Sequence, residues 1–385
     1  MSLELRLRVA HAIAEVSPEA WDACANPGSQ YNPFIAYAFL AALESSNSVC
    51  ARAGWQPMHL LASDGQGTLH GAAPCYIKSH SQGEYVFDHG WADAYERAGG
   101  SYYPKMQVSV PFTPATGPRL LVRPGARAEA VRTVLADALI DVCKRVDASS
   151  VHVTFLPHAE WELLGCRGYL KRTHQQFHWS NAGYEKFDHF LNALSSRKRK
   201  IIRRERADAV AAGVSVQWLT GSDLTESLWD AFFKFYMQTG SRKWGRPYLT
   251  RAFFSLVGES MRDRILLIMA RRDGRWIAGA LNFMGSDTLY GRHWGAIEYH
   301  PFLHFELCYY QAVQYAIEHR LARVEAGAQG EHKLARGYLP AATYSAHYIA
   351  DPALRRAIDD FLNRERSYVA AAEQELALAA PFRRG

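Results

Sequence analysis

Two stretches decide the fold: "LLASDGQGTLHGAAPCYI", Leu60–Ile77, and "LIMARRDGRWIAGALNFM", Leu267–Met284. Each is an apolar run, an Asp-Gly pair (Asp64–Gly65, Asp273–Gly274) and a second apolar run carrying Gly-Ala (Gly71–Ala72, Gly279–Ala280). Asp-Gly between apolar runs is a strong hairpin signal, because both residues tolerate the left-handed backbone of a tight turn. After a variable interval, each hairpin is followed by an amphipathic helical pattern and a buried strand. These are "ARAEAVRTVLADALIDVCKRV" then "VHVTFL", and "FLHFELCYYQAVQYAIEHRL" then "ARVEAGA". A repeated plan of this kind predicts two mixed-sheet α/β units in tandem, residues 1–180 and 181–385.

The rest of the chain is consistent with that division. At 385 residues it is too long for one ordinary core. Apolar residues make up 48% and charged residues 21%, a normal globular balance. No apolar run reaches the roughly 18–20 residues of a membrane span, and "MSLELRLRVAHAIAEV" holds charges where a signal peptide has its apolar core. A cytoplasmic location is expected. The six cysteines are scattered without a CxxC pair, which points to a reducing compartment and no structural zinc. Cys308, inside an apolar helix, reads as a buried thiol. "KMQVSVPF" reads as a strand, "YLKRTHQQFHWSN" as the strand closing the first unit, and "FDHFLNALSSRKRKIIRRERADAVAAG" as one long helix stopped at Gly213.

Phosphate loops of the GxxxxGK[ST] type, GxGxxG, HExxH and GxSxG are absent, and the 16 histidines form no ligand spacing. Three segments carry candidate chemistry. "SSRKRKIIRRER", Ser195–Arg206, concentrates the basic charge, and arginine suits bidentate phosphate contacts. "FFKFYMQTGSRKWGRPYLTR", Phe232–Arg251, interleaves aromatic and basic residues that stack on bases and hold phosphates. "EAGAQGEHKLARGYLP", Glu325–Pro340, is a glycine-rich loop beyond a strand end, where ligand sites of open α/β sheets gather. Its Lys333 and Arg336 would neutralise a developing oxyanion or phosphate, and Glu325 or Glu331 would accept a proton.

"LSSRKRKIIRRERADAVAAGVSVQWL", "GRWIAGALNFMGSDTLYGRHWG" and "VEAGAQGEHKLARGYLP", in that order, resemble the Fem-like branch of the GNAT acyltransferase superfamily. "YNPFIAYAFLAALE" and "GEYVFDHGWADAYERAGG" are similar to bacterial peptidoglycan biosynthesis/recognition proteins of that branch. The resemblance implies two tandem GNAT-like domains of Fem type and an acyltransferase that forms an amide. It would use aminoacyl-tRNA or acyl-CoA as co-substrate, with no bound cofactor, and an amine-bearing small molecule or peptide as acceptor. The glycine-rich pyrophosphate turn of acyl-CoA enzymes is missing after "TLYGRHWG", and so is the helical arm that some Fem enzymes use for tRNA. Lys333 matches a Fem-type loop lysine. On this reading Lys333 and Arg336 stabilise the oxyanion or leaving group and Glu325 takes the proton. Arg199, Arg203, Lys243 and Arg246 hold phosphate or the tRNA acceptor end, with Trp244, His293 and Glu331 as further substrate contacts. The alternative readings are an acyl-CoA-dependent N-acyltransferase, or a non-catalytic binding module for a cell-wall precursor or nucleic acid.

Overall fold

Asp273 and Gly274 both take left-handed backbone, φ 49° and 78°. The resulting turn joins the antiparallel strands Ile265–Arg272 and Arg275–Met284, with Arg272 opposite Arg275. The computed structural model describes residues 4–244, 247–327, 331–378 and 380–383. Its fold is mixed α/β, in two compact units: Met1–His174 with Ala342–Ala371, and Gln175–Ala341 with Ala372–Gly385.

The second unit's sheet runs in the order Ser215–Leu219, Ile265–Arg272, Arg275–Met284, Thr288–Ala296, Arg323–Glu325, then the end of Leu170–Ser180. All neighbours are antiparallel except Thr288–Ala296 with Arg323–Glu325, which are parallel. A helical run from Leu303 to Glu318, with a π-turn over Glu306–Tyr310, connects that parallel pair. It packs Leu307, Tyr310, Val313 and Ile317 onto Leu266, Ile268, Ala280, Leu289 and Val324. In the first unit the hairpin bends. Its strands are His59–Ser63 with Leu69–Ala73, continued by Trp55–Pro57 with Cys75–Lys78. Pro74, with no N–H to give the ladder, sits at the bend. Lys105–Val108 then pairs in parallel with Ser150–Leu156, the same arrangement as in the second unit. The interval between Ser79 and Pro118 closes around Lys105. Its buried Nζ donates to Ser81 Oγ (2.8 Å), Glu84 Oε2 (2.7 Å) and Asp88 Oδ2. Burial alone would push this lysine down; Glu84 and Asp88 outweigh it and hold the ammonium above its ordinary value.

The structure changes three expectations. The chain leaves the first unit at His174, not at 180, because His178–Ser180 pairs with Arg323–Glu325. Residues 342–371 return to the first unit. There Tyr344–Ile349 pairs with Ser150–Leu156, and Leu354, Ile358 and Leu362 pack on Trp91 and Tyr102. The expected long basic helix is two, Phe187–Ala193 and Ser196–Val210. Buried Leu194 is extended and bridges Phe382, and the Ser195 N–H bonds Pro381 O at 2.9 Å, which breaks the helical ladder. The strands foreseen in "KMQVSVPF" and "ARVEAGA" stop early, at Val108 and Glu325. Among the described residues no helix is long and apolar enough to cross a membrane.

Candidate active site

The site begins where the second unit's parallel pair parts. Thr288, Leu289 and Tyr290 face Arg323, Val324 and Glu325, and there the pairing ends, although the first strand continues to Ala296. On its other side that strand carries a bulge. Leu281 faces His293 and Asn282 faces Gly291, leaving Arg292 as the extra residue. The gap beyond Tyr290 opens on a cavity of about 120 Å³ lined by Asn282, Gly291, His293, Cys308, Tyr309 and Ala326, among others. Trp294 and His304 also line a wider pocket of about 550 Å³, which extends over Ile297–Phe305 to the first turn of the helix starting at Leu303. A small inner chamber thus adjoins a large outer one.

Lys333 lies in the 3₁₀ turn Glu331–Arg336 and is 1% exposed. Its Nζ donates to Gly327 O at 2.8 Å, the one hydrogen bond it makes among the described residues. Burial pushes the ammonium down to about 8, and the neighbouring Arg292 pushes the same way. An ammonium with one of three donors engaged can give the others to a developing oxyanion. Glu325 ends its strand on the other side of the sheet. Leu289 and Val324 point into the core beneath the helix, so their strand neighbours Tyr290 and Glu325 point away from it. Burial pushes this carboxyl up to about 7. Arg323 Nη1 and His178 Nε2 stand 3.8 and 3.9 Å away, and Oε2 has no hydrogen-bond partner. Such a carboxyl is poised to take a proton near neutral pH. Lys333 and Glu325 share neither a hydrogen bond nor an ion pair.

The other expected residues divide. His293 lines the chamber with its ring edge-on to Tyr236 (5.2 Å); desolvation pushes it down to about 3. A neutral imidazole supplies no charge for phosphate. Arg336, expected beside Lys333 as an oxyanion partner, instead faces Glu205. Nη2 lies 2.9 Å from both carboxylate oxygens, Nη1 donates to His332 O, and the guanidinium covers the Phe305 ring at 3.4 Å. Tyr310 O–H donates to the same Glu205 carboxylate. This network ties the lysine turn to the basic helix. Arg199 bonds Asn192 (3.0 Å) and Arg203 pairs with Asp188 (3.2 Å) at the surface; neither lines the two chambers. Arg246 and the side chains of Lys243, Trp244 and Glu331 lie outside the described residues.

Residues 12–384 match the FemAB-like family model, described as peptidoglycan biosynthesis/recognition. The chain belongs to the FemAB-like family. Among curated proteins none matches it by sequence. Its fold is similar to the crystal structure of FemX (TM-score 0.54, 12% identity, 93% of this chain and 100% of that one). It is also similar to L-PGS from Bacillus licheniformis (0.51, 8%, 87% and 98%). A tandem GNAT protein from the clavulanic acid biosynthesis pathway aligns at 0.45 with 13% identity, over 91% and 99%. At these identities the likeness is one of fold.

Sequence reasoning missed Asn282, Cys308 and Tyr309, which line the FemAB-like chain's inner chamber. A signal for the first was present: Asn282 is the one polar residue in "IAGALNFM". Cys308, expected as an inert core thiol, faces the chamber beside Lys333. In the first unit the corresponding gap is filled. Beyond Val153, Phe155 O accepts from Gly117 N–H (3.0 Å). Arg119, 1% exposed, donates to the carbonyls of Thr154, Gly117, Pro118 and Ala115. Among the described residues no group of three His, Cys, Asp or Glu is arranged to hold a metal ion.

Proposed function

We propose that the second unit joins a short acyl or aminoacyl group, delivered by a phosphate-bearing donor, to an amine, forming an amide. The observation that carries this reading is the parted parallel pair, with Lys333 beyond its end and the Glu325 carboxyl on the sheet's other side. The acyl group enters the inner chamber and its carrier occupies the outer one. There the first turn of the helix at Leu303 offers a positive dipole end to phosphate. Glu325 takes a proton from the attacking amine. The nitrogen adds to the acyl carbon, and Lys333 donates to the oxyanion or to the departing oxygen or sulfur. The family's description as peptidoglycan biosynthesis/recognition supports an amine on a cell-wall precursor as acceptor. Aminoacyl-tRNA and acyl-CoA are the two donor candidates. The surface arginines Arg199 and Arg203 favour the longer polyanion, because they lie on one basic helix whose charges suit contacts to several phosphates.

The test is mass spectrometry of the purified chain with each donor and a lysine-containing muramyl pentapeptide. One donor should add its acyl mass to the peptide, and Lys333→Ala should slow this by roughly 10²–10³-fold with the melting temperature retained. Full activity in Lys333→Ala overturns the role given to Lys333. Binding of peptide and donor without any product would favour a recognition module.

A further inference from the structure

The inner chamber holds a group that neither the proposed chemistry nor the fold requires. Asn282 is 1% exposed in the middle of strand Arg275–Met284. Its Nδ2 donates to the carbonyl oxygens of Leu266 (3.2 Å) and Ala280 (3.2 Å). Turned the other way, the amide would set Oδ1 against two acceptors, so its orientation is fixed by its neighbours. Oδ1 is left buried and without a hydrogen-bond partner. The residue lines the chamber, and Oδ1 lies on the side of Gly291, where an added Cβ would meet it at 3.3 Å. Glycine at 291 therefore keeps the approach to this oxygen open. A buried, unpaired acceptor is unfavourable until something donates to it. An apolar residue there would have completed the strand without that penalty, since Ala280 and Met284 on the same face are apolar.

The chamber's size limits what donates. An engineered cavity of about 150 Å³ takes the six carbons of benzene. The 120 Å³ found here admits about five non-hydrogen atoms on that scale. With the carbonyl among them, the donor group sits one or two bonds from the carbonyl carbon. We propose that Asn282 selects the acyl group: the chamber takes a short acyl group bearing an N–H or O–H close to its carbonyl, and Asn282 Oδ1 accepts that hydrogen bond. The inference rests on the acyl-transfer reading of this cleft and adds a specificity-determining residue to it. An unsubstituted alkyl acyl group of equal size leaves the oxygen unpaired and is discriminated against.

The test uses three ketones of five non-hydrogen atoms, free of amide N–H groups: aminoacetone, hydroxyacetone and butanone, which end in an amine, a hydroxyl and a methyl group. Ligand-observed NMR titration of the unmutated chain should show the first two binding about ten-fold tighter than butanone. Crystals soaked with hydroxyacetone should place it against Asn282. Asn282→Leu, of similar volume with no acceptor, should level the three affinities. The ratio in the unmutated chain needs no variant and stands even where Asn282→Leu does not fold. Equal binding of all three, or a preference that survives Asn282→Leu, overturns the inference and leaves the cleft an acyl site. Failure of all three to bind overturns the inference together with the acyl-site reading beneath it.

Discussion

Replacing Glu325 by glutamine separates what this residue does for the reaction from what it does to the fold. The carboxyl is 4% exposed, and burial pushes it up to about 7; Arg323 and Arg292 pull the other way and do not win. In the unfolded chain it titrates near its ordinary 4.5. At or below pH 4.5 both states hold the proton and pH changes nothing. Between 4.5 and 7 the unfolded chain releases the proton while the folded chain keeps it, so stability falls as pH rises. Above 7 both are ionised and the loss is complete, at about 3 kcal/mol for a shift of this size. Glutamine has the same shape and never ionises. Glu325→Gln should therefore melt close to the unmutated chain at pH 4.5 and above it at pH 8. The expected gap at pH 8 is roughly 6–12 °C for a unit of this size. Amide formation should fall by about 10²–10⁴-fold, because the proton acceptor is gone. Thermal melts of both proteins from pH 4.5 to 8 read the difference directly. Glu84 and Glu160, also buried and pushed up to about 7, drop out of it because both proteins carry them. Coincident melting at pH 8, or a gap that does not change with pH, refutes the argument.

The same two groups set a pH profile. kcat/KM should rise through about pH 7 as Glu325 loses its proton and fall through about pH 8 as Lys333 loses its own. Glu325→Gln should erase the lower limb and keep the upper. Arg336→Ala strands the buried Glu205 carboxylate and should destabilise the chain by about 3–5 kcal/mol in urea unfolding. Lost transfer at unchanged stability would instead make Arg336 a catalytic residue. If the donor is tRNA, gel-shift affinity should drop steeply with salt, and Arg199→Ala with Arg203→Ala should each flatten the slope by about one phosphate contact. A flat salt response in the unmutated chain counts against a polyanionic donor.

The fold was legible where local chemistry decides it. Asp273–Gly274 dictates its own turn, and the apolar runs on both sides of it pair with each other. What stayed hidden depends on residues far apart in the chain. Nothing in "FDHFLNALSSRKRK" announces that Ser195 will bond Pro381, yet that bond helps divide the helix. Nothing in "KLARGY" announces that Arg336 will meet Glu205, 131 positions away, so a residue with the right charge for an oxyanion is engaged elsewhere. Lys333 and Glu325, singled out in the sequence as catalytic candidates, are both buried. That Glu325 points away from the helix follows from strand register, which only the pairing of Tyr290 with Glu325 reveals.

The two units show why a repeated plan need not repeat a site. Each contains a parallel pair flanked by a helical crossover, and in each the pairing lasts for three residues. Past that point both strands expose backbone groups that must bond to something. In the first unit its own chain supplies the partners: Gly117 reaches Phe155, and Arg119 caps the carbonyls around it with a charge that never needs a ligand. In the second unit Gly291 and the Arg292 bulge hold the strand away, and the loop after Glu325 turns aside at Gly327, φ 78°, to meet Lys333. The gap stays open, and Asn282 Oδ1, facing it, has no partner among the described residues. Such an atom stays buried at a cost of about 1–3 kcal/mol until a ligand donates to it. On the acyl-transfer proposal the open gap is where the acyl group enters, while the first unit, its gap closed by Gly117 and Arg119, serves as scaffold.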